Sequence, residues 1–328
     1  MPYQDLVDID NRTHLETLPS RQVEFNIHEV EEDGEGVERL HAKIGDSEVL
    51  IKKNPRQFEL VCHAFGVPFK FAENVSQTLL GDIFTELADR KGGDEVNNWL
   101  VDTELDELVS YGDVRKPYIP YGRVGDILLD NGLEVDGSLI RHGGAEITGT
   151  HPSEYTVEPR QGDIVRSGVN IRFNPTMDDA PLITPWSLRL VCTNGMTSLR
   201  EKPRIKVVGH SVDDILDNMA YEAQKALEFG ERMNHGFADM VGNQVNPVDH
   251  MENLITSGNI PSRMHESLMQ QASALAPDHR TAYDVLNIYT RMASGIYDPD
   301  ARFKLQAIGG DLALDNHLHC GRCGHELA

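Results

Sequence analysis

The sequence predicts an α+β protein, with a β-rich antiparallel N-terminal and central part followed by a helical C-terminal part. Three observations carry this reading. Between Arg123 and Ile205, short alternating runs are broken by Asn131-Gly132, Asp136-Gly137, Gly143-Gly144 and Asn194-Gly195. Such pairs accept φ > 0 and so reverse a strand. From Ser211 onward the apolar residues recur at helical spacing instead, and Val212, Ile215, Leu216, Met219, Ala223, Ala226 and Leu227 make one stripe. Strand-type and helix-type runs are segregated along the chain rather than alternating, which argues against a βαβ sheet.

Taken in order, residues 1–22 read as a polar lead-in. Strand-like runs at 22–30, 39–44 and 47–52 are separated by Asp33-Gly34 and Gly45-Asp46, the pattern of a small antiparallel meander. Pro55 opens a short helical run over 58–65 that Gly66 halts. A second helix covers about 76–90, with Leu79, Leu80, Ile83, Phe84 and Leu87 on one side. The acids Asp102, Glu104, Asp106, Glu107 and Asp113 are interleaved with Leu105, Leu108 and Val109, so they read as the solvated face of a surface element rather than a metal loop. Lys116-Pro-Tyr-Ile-Pro-Tyr121 is extended, because two prolines forbid helix. Ser211, with Asp213 and Asp214 behind it, has the chemistry of a helix N-cap with first-turn acids. Shorter helices fit 247–257, 262–276 and 281–293, with Gly258 and Pro277 as stops. The division that follows is a lead-in at 1–22, an α+β core at 23–210, a helical region at 211–297 packed on that core, and a tail at 298–328.

The segment Trp186-Ser-Leu-Arg-Leu-Val-Cys-Thr-Asn-Gly-Met196 alternates Leu188, Leu190 and Cys192 with Arg189, Val191 and Thr193, as a strand with one buried face would. Asn194-Gly195 then predicts a chain reversal. Arg189–Gly195 resembles the R-L-V-C-T-N-G signature of an uncharacterised protein family carried by phages, plasmids and genomic islands. Two further segments are similar to motifs of that family. One is the arm Gly162-Asp-Ile-Val-Arg-Ser-Gly-Val-Asn-Ile-Arg-Phe-Asn174, and the other is the helix Thr281-Ala-Tyr-Asp-Val-Leu-Asn-Ile-Tyr-Thr290. The resemblance covers roughly residues 120–295. It departs at Asn174-Pro-Thr-Met-Asp-Asp179, where the family often has an Asn-Ser-His-Asp-like turn, so no role of that turn is carried over. The resemblance implies a lineage and an architecture; it implies no activity.

Composition sets outer limits. At 328 residues the chain is long enough for two domains, or for one large core with appendages. It has no run of about 18 apolar residues, hence no membrane span, and its first residues lack the basic and apolar regions of a signal peptide. The four cysteines, Cys62, Cys192, Cys320 and Cys323, are too few and too unevenly placed for a disulfide framework. These points place the chain in the cytoplasm of its host cell. The net charge of −23 repels phosphate backbones, but it is unevenly spread. Residues 157–210 hold eight basic residues (Arg160, Arg166, Arg172, Arg189, Arg200, Lys202, Arg204, Lys206) against five acids, about +3, which leaves about −26 for the remainder.

That basic stretch, with Tyr155, Phe173 and Trp186 interleaved, is the composition that single-stranded nucleic acid needs: a charged track beside stacking faces. The bland reading of the same residues is a solvated charged face over ordinary core aromatics. The hairpin-plus-long-helix layout also looks similar to phage single-strand annealing proteins. The acidity favours a second class, a protein-interaction or assembly module such as a host-defence antagonist or a phage structural component. An enzyme ranks third. The chain lacks a phosphate-binding glycine loop, a dinucleotide fingerprint, H-E-x-x-H and G-x-S-x-G, and His14, His28, His41, His63 and His142 are scattered. Cys192 reads as a core strand residue rather than a nucleophile. In the last thirteen residues, Cys320-x-x-Cys323-Gly324 has the form of a zinc knuckle, and His317, His319 and His325 are near enough to complete a four-ligand site. The tail is either such a site, completed within the chain or across a homo-oligomer, or a tail without metal.

Overall fold

The computed structural model describes residues 3–32, 35–90, 96–141, 143–152, 156–189, 194–197, 211–257, 260, 262–277, 280–296, 302–303 and 305–310. The predicted segregation holds: antiparallel sheets occupy the N-terminal and central parts and helices the C-terminal part, so the fold is α+β. The chain opens with α1 (Tyr3–Arg12) and β1 (Thr13–Pro19). The meander β2 (Glu24–Glu32), β3 (Glu35–Ile44) and β4 (Ser47–Leu50) precedes α2 (Pro55–Phe65), α3 (Phe69–Ala72) and α4 (Gln77–Arg90). The hairpin β5 (Val96–Asp102) and β6 (Glu107–Asp113) leads to α5 (Tyr121–Asp130).

The central sheet follows, built from β7 (Glu134–Arg141), β8 (Gly144–Thr150), β9 (Thr156–Arg160), β10 (Asp163–Phe173), β11 (Leu182–Arg189) and β12 (Asn194–Thr197). Its strand order is β12-β11-β10-β8-β7, with β9 also paired to β10. The helical part comprises α6 (Val212–Gly242), α7 (Pro247–Ser257), α8 (Ser262–Ser273) and α9 (Ala282–Ser294).

The lead-in reading of residues 1–22 is corrected. Their polarity hides Leu6 and Ile9, three apart on one side of α1, which are 0% and 4% exposed and join the central core. The Asp10 carboxylate accepts the backbone N–H groups of Tyr121 and Gly122 at 2.9 and 2.7 Å, and so satisfies two donors at the start of α5. β1 pairs antiparallel with β5, Leu15 opposite Leu100. α5 is another helix that the sequence pattern missed. Two glycines dilute its periodicity, yet Val124, Ile127 and Leu128 form a buried stripe against the central sheet. In the acidic run, Asp102 is buried and bound by the Arg12 Nε at 2.7 Å.

β10 is the middle strand of the central sheet, paired with β8, β9 and β11. Its odd residues Val169, Ile171 and Phe173 turn toward α5 and α6, where Ile147, Ile183, Ile215, Met219 and Ala223 complete one core. Ser211 caps α6 as predicted, its Oγ accepting the Asp214 N–H at 3.1 Å. A second core lies under the N-terminal strands around Leu40, Phe65, Phe84 and Trp99, and a third joins α7, α8 and α9. Residues 302–303 and 305–310 are helical, and Phe303 and Leu305 are buried, so the part of the tail that is described belongs to the packed structure.

One polar link fixes α6 to the sheet. Asn234, fully buried, donates from Nδ2 to Ser167 Oγ at 2.7 Å, and its Oδ1 accepts from Ser187 Oγ at 2.8 Å. Asn234→Leu strands two buried hydroxyls and is expected to cost about 2–4 kcal/mol, read as a lower urea midpoint. A pH effect comes from α7, where burial pushes the His250 imidazole from its ordinary 6.5 down to about 4. The fold thus accommodates the neutral ring. Its contribution is complete above pH 6.5 and is lost as pH falls through about 4, by on the order of 2–3 kcal/mol. His250→Gln should flatten that acid limb in melting curves taken between pH 7 and 4.

Candidate nucleic-acid interface

Two of the segments that carried the family resemblance, Gly162–Asn174 and Thr281–Thr290, meet in space. β9 and β10 form a hairpin whose first strand ends at Arg160, and α9 begins opposite it. Arg160 Nη1 and Nη2 donate to Asp284 Oδ1 and Oδ2 at 2.6 and 2.8 Å, and Nη2 reaches Thr281 Oγ1 at 3.1 Å. Thr281 and Asp284 are the two halves of a capping box at the start of α9. Next to them the Tyr283 hydroxyl donates to Asp163 Oδ2 at 2.8 Å, and the Arg160 guanidinium lies 5.7 Å from the Tyr283 ring centre. Burial works against the Asp284 carboxylate, but the hydrogen bonds from Arg160 and Thr281 outweigh it and hold its pKa below the usual range. The same bond to Asp284 raises that of Arg160.

Of the predicted contact residues, the even positions of β10 share the sheet face turned away from α6. Arg166 is half-buried there, in register with Leu188 of β11 and Thr156 of β9. Arg172 stands 3.7 Å from Glu146 and stacks on Phe303 at 4.4 Å, while Asn170 Nδ2 donates to the other oxygen of Glu146 at 2.8 Å. Three buried atoms on this face have no hydrogen-bond partner among the described residues: Glu146 Oε2, Asn170 Oδ1 and Trp186 Nε1.

These placements correct the expectation at Phe173, Trp186, Arg160, Arg172 and the Asn194-Gly195 turn, and leave the rest outside the described residues. Phe173 and Trp186, 4% and 6% exposed, offer no ring to a base. Arg160 and Arg172 are committed to carboxylates inside the fold, so they are structural cations first. Arg189 ends β11 with its side chain outside the described residues, as are Tyr155, Arg200, Lys202, Arg204 and Lys206 in full. The candidate zinc ligands His317, His319, Cys320, Cys323 and His325 also lie outside them, as does Cys192. Among the described residues no cluster of His, Cys, Asp and Glu could hold a metal ion. Asn194 and Gly195, read as a reversal, are instead strand residues of β12 paired with Arg189 and Leu188.

Sequence reasoning missed one concavity altogether. A cleft of about 610 Å³ lies between α2 and the segment after β10, lined by Arg56, Glu59, His63, Arg172, Asp178 and Asp179 among others. Its residues come from three separated stretches, so no local motif announces it. One wall is the turn at which the family resemblance departs. There Asn174 Oδ1 accepts from Ser110 Oγ and the Thr176 N–H, both at 2.8 Å, which makes the turn a buried, bonded structure of its own. Comparison of the chain with protein-family models, with curated proteins and with solved structures found no match. Among the described residues no helix is long and apolar enough to cross a membrane.

Proposed function

We propose that this chain is a non-enzymatic accessory protein of a phage or other mobile element, and that it binds single-stranded nucleic acid during recombination or replication. The contact is assigned to Arg189, Arg200, Lys202, Arg204 and Lys206, with Arg166 as a neighbouring cation, rather than to the aromatic residues of the sheet interior. The observation that carries the reading is charge segregation. Residues 157–210 sum to about +3 in a chain of −23, and residues 200–206 hold four cations against the single acid Glu201. With Arg160 and Arg172 neutralised internally, the positive charge left for a partner is concentrated in that run. The run is bounded in sequence by β12 on one side and the Ser211 cap of α6 on the other.

A cationic track on an acidic body selects backbone contacts while repelling non-specific ones. Membership of the phage and plasmid family is part of the same proposal, supported by the contact of two of its motif segments at Asp163 and Tyr283. A structural zinc held by Cys320 and Cys323 with His317, His319 or His325 is also part of it, and metal analysis of the purified protein measures this directly.

The second reading, a protein-interaction or assembly module, is favoured by the −23 charge, which suits a basic host or phage protein. Incubating the protein with host lysate and a labelled single-stranded oligonucleotide separates the two. Retention of the oligonucleotide supports the first reading. A stoichiometric protein partner with no bound oligonucleotide supports the second.

A further inference from the structure

A second, smaller pocket opens beside the Arg160–Asp284 pair. It has a volume of about 270 Å³ and is walled by Arg160, Asp284, Asn287 and Arg291, with Leu275 from the turn after α8 and Ile288 as apolar sides. Three features set it apart from a packing defect. It contains two guanidinium groups and one carboxylate, so it is net cationic in a protein of −23. Arg291 stands exposed at its rim, while Arg160 is fixed in its wall by Asp284 and Thr281. Asn287 is 8% exposed and its Oδ1 has no hydrogen-bond partner among the described residues. A buried amide without a partner costs stability unless something else meets it.

We infer that this pocket is an anion site that takes a phosphate group. Arg291 makes the direct ionic contact, because a guanidinium fork matches two phosphate oxygens. Arg160, its charge offset by Asp284, fixes the wall against which Arg291 closes. Asn287 accepts the O–H of a protonated phosphate at Oδ1, or turns its NH₂ inward to donate to a diester oxygen. The volume exceeds that of one water, about 30 Å³, several-fold, enough for a phosphate with part of an attached sugar. Tyr283 and Thr281, both from the segment similar to the family's C-terminal motif, hold the wall through Asp163 and Arg160 rather than facing the ligand. The inference rests on the nucleic-acid reading only for the source of the phosphate.

The test begins with inorganic phosphate and the full-length protein. Thermal melts are compared in phosphate, in acetate and in chloride at matched ionic strength, for the native protein and for Arg291→Ala and Asn287→Leu. Asn287→Leu removes the stranded amide, so it should melt normally in chloride and serves as the folded control. The expected result is a rise of a few degrees in phosphate for the native protein only, absent in acetate and in both variants. No rise over chloride, or a rise that persists in both variants, overturns the site.

Oligonucleotides then identify the source. Tighter retention of a 5′-phosphorylated strand than of a 5′-hydroxyl strand, abolished in Arg291→Ala, marks the strand end. Equal retention of both strands, weakened in Arg291→Ala, marks an internal phosphate. If inorganic phosphate binds but oligonucleotides do not, the site stands and the nucleic-acid reading fails. If oligonucleotides bind and inorganic phosphate does not, the reverse holds.

Discussion

Replacing Gly168 with alanine is expected to destabilise the protein by about 4 kcal/mol or more and to leave little soluble material on expression. Gly168 sits in β10 between β8 and β11, opposite Thr150 on one side and Trp186 on the other. A Cβ there would run into the carbonyl oxygen of Gly149 and come within 2.7 Å of the Thr150 Cα. Both obstacles are backbone, so no rotamer change relieves them, and either β8 or β10 must move. That movement would disturb the seat of α6, whose Gly230 approaches Ser167 and Gly168. Gly162→Ala is the matched control. Its φ of +79° is unfavourable for alanine but open space surrounds it, so a loss of about 1 kcal/mol is expected. Soluble yield and urea midpoints for the two variants decide the comparison. Equal, small losses would show that β8 and β10 leave room for a methyl group at this crossing.

The second large effect is functional. Reversing Arg200, Lys202, Arg204 and Lys206 to glutamate together is expected to weaken single-stranded oligonucleotide binding by at least about a hundredfold at low salt. Each phosphate that the protein no longer neutralises keeps its condensed counterions, so the entropy of their release is forfeited as well. Far-UV circular dichroism and melting temperature of the variant, unchanged from the native protein, would assign the effect to charge. Reversing four acids elsewhere, such as Asp5, Asp82, Glu86 and Asp89, to lysine should instead strengthen binding modestly through the overall field. If the quadruple glutamate variant binds as the native protein does, the nucleic acid is held elsewhere.

Much of the architecture was legible because the residues that specify it are local. Gly45-Asp46 between β3 and β4, Pro55 and Gly66 at the ends of α2, and Ser211 as the cap of α6 act within a few residues of themselves, whereas Asp136-Gly137, read as a turn, lies inside β7 and Asn131-Gly132 closes α5. What was hidden depends on distant partners. Leu6 and Ile9 become core only because α5 and the sheet lie against them, and α5 survives its glycines through that same packing. Asn194-Gly195 has turn chemistry but is drawn into pairing with β11, an override of local preference by the sheet.

The candidate site shows the same limit. Alternation puts Arg166 and Arg172 on one face of a strand, but only the register of β10 with β11 adds Trp186 to it, and nothing in the spacing tells that Glu146 and Phe303 engage Arg172 or that Trp186 is covered. Arg160 could be paired with Asp284 only by folding, across 124 positions.

The most direct measurement of the central claim is the salt dependence of affinity for a single-stranded oligonucleotide, taken by fluorescence anisotropy across sodium chloride concentration. If the cation run holds the strand through its four residues, log K should fall linearly against log salt with a slope of about −3, or somewhat steeper with Arg189 and Arg291 engaged. A flat line, or no binding even at the lowest salt, would contradict it.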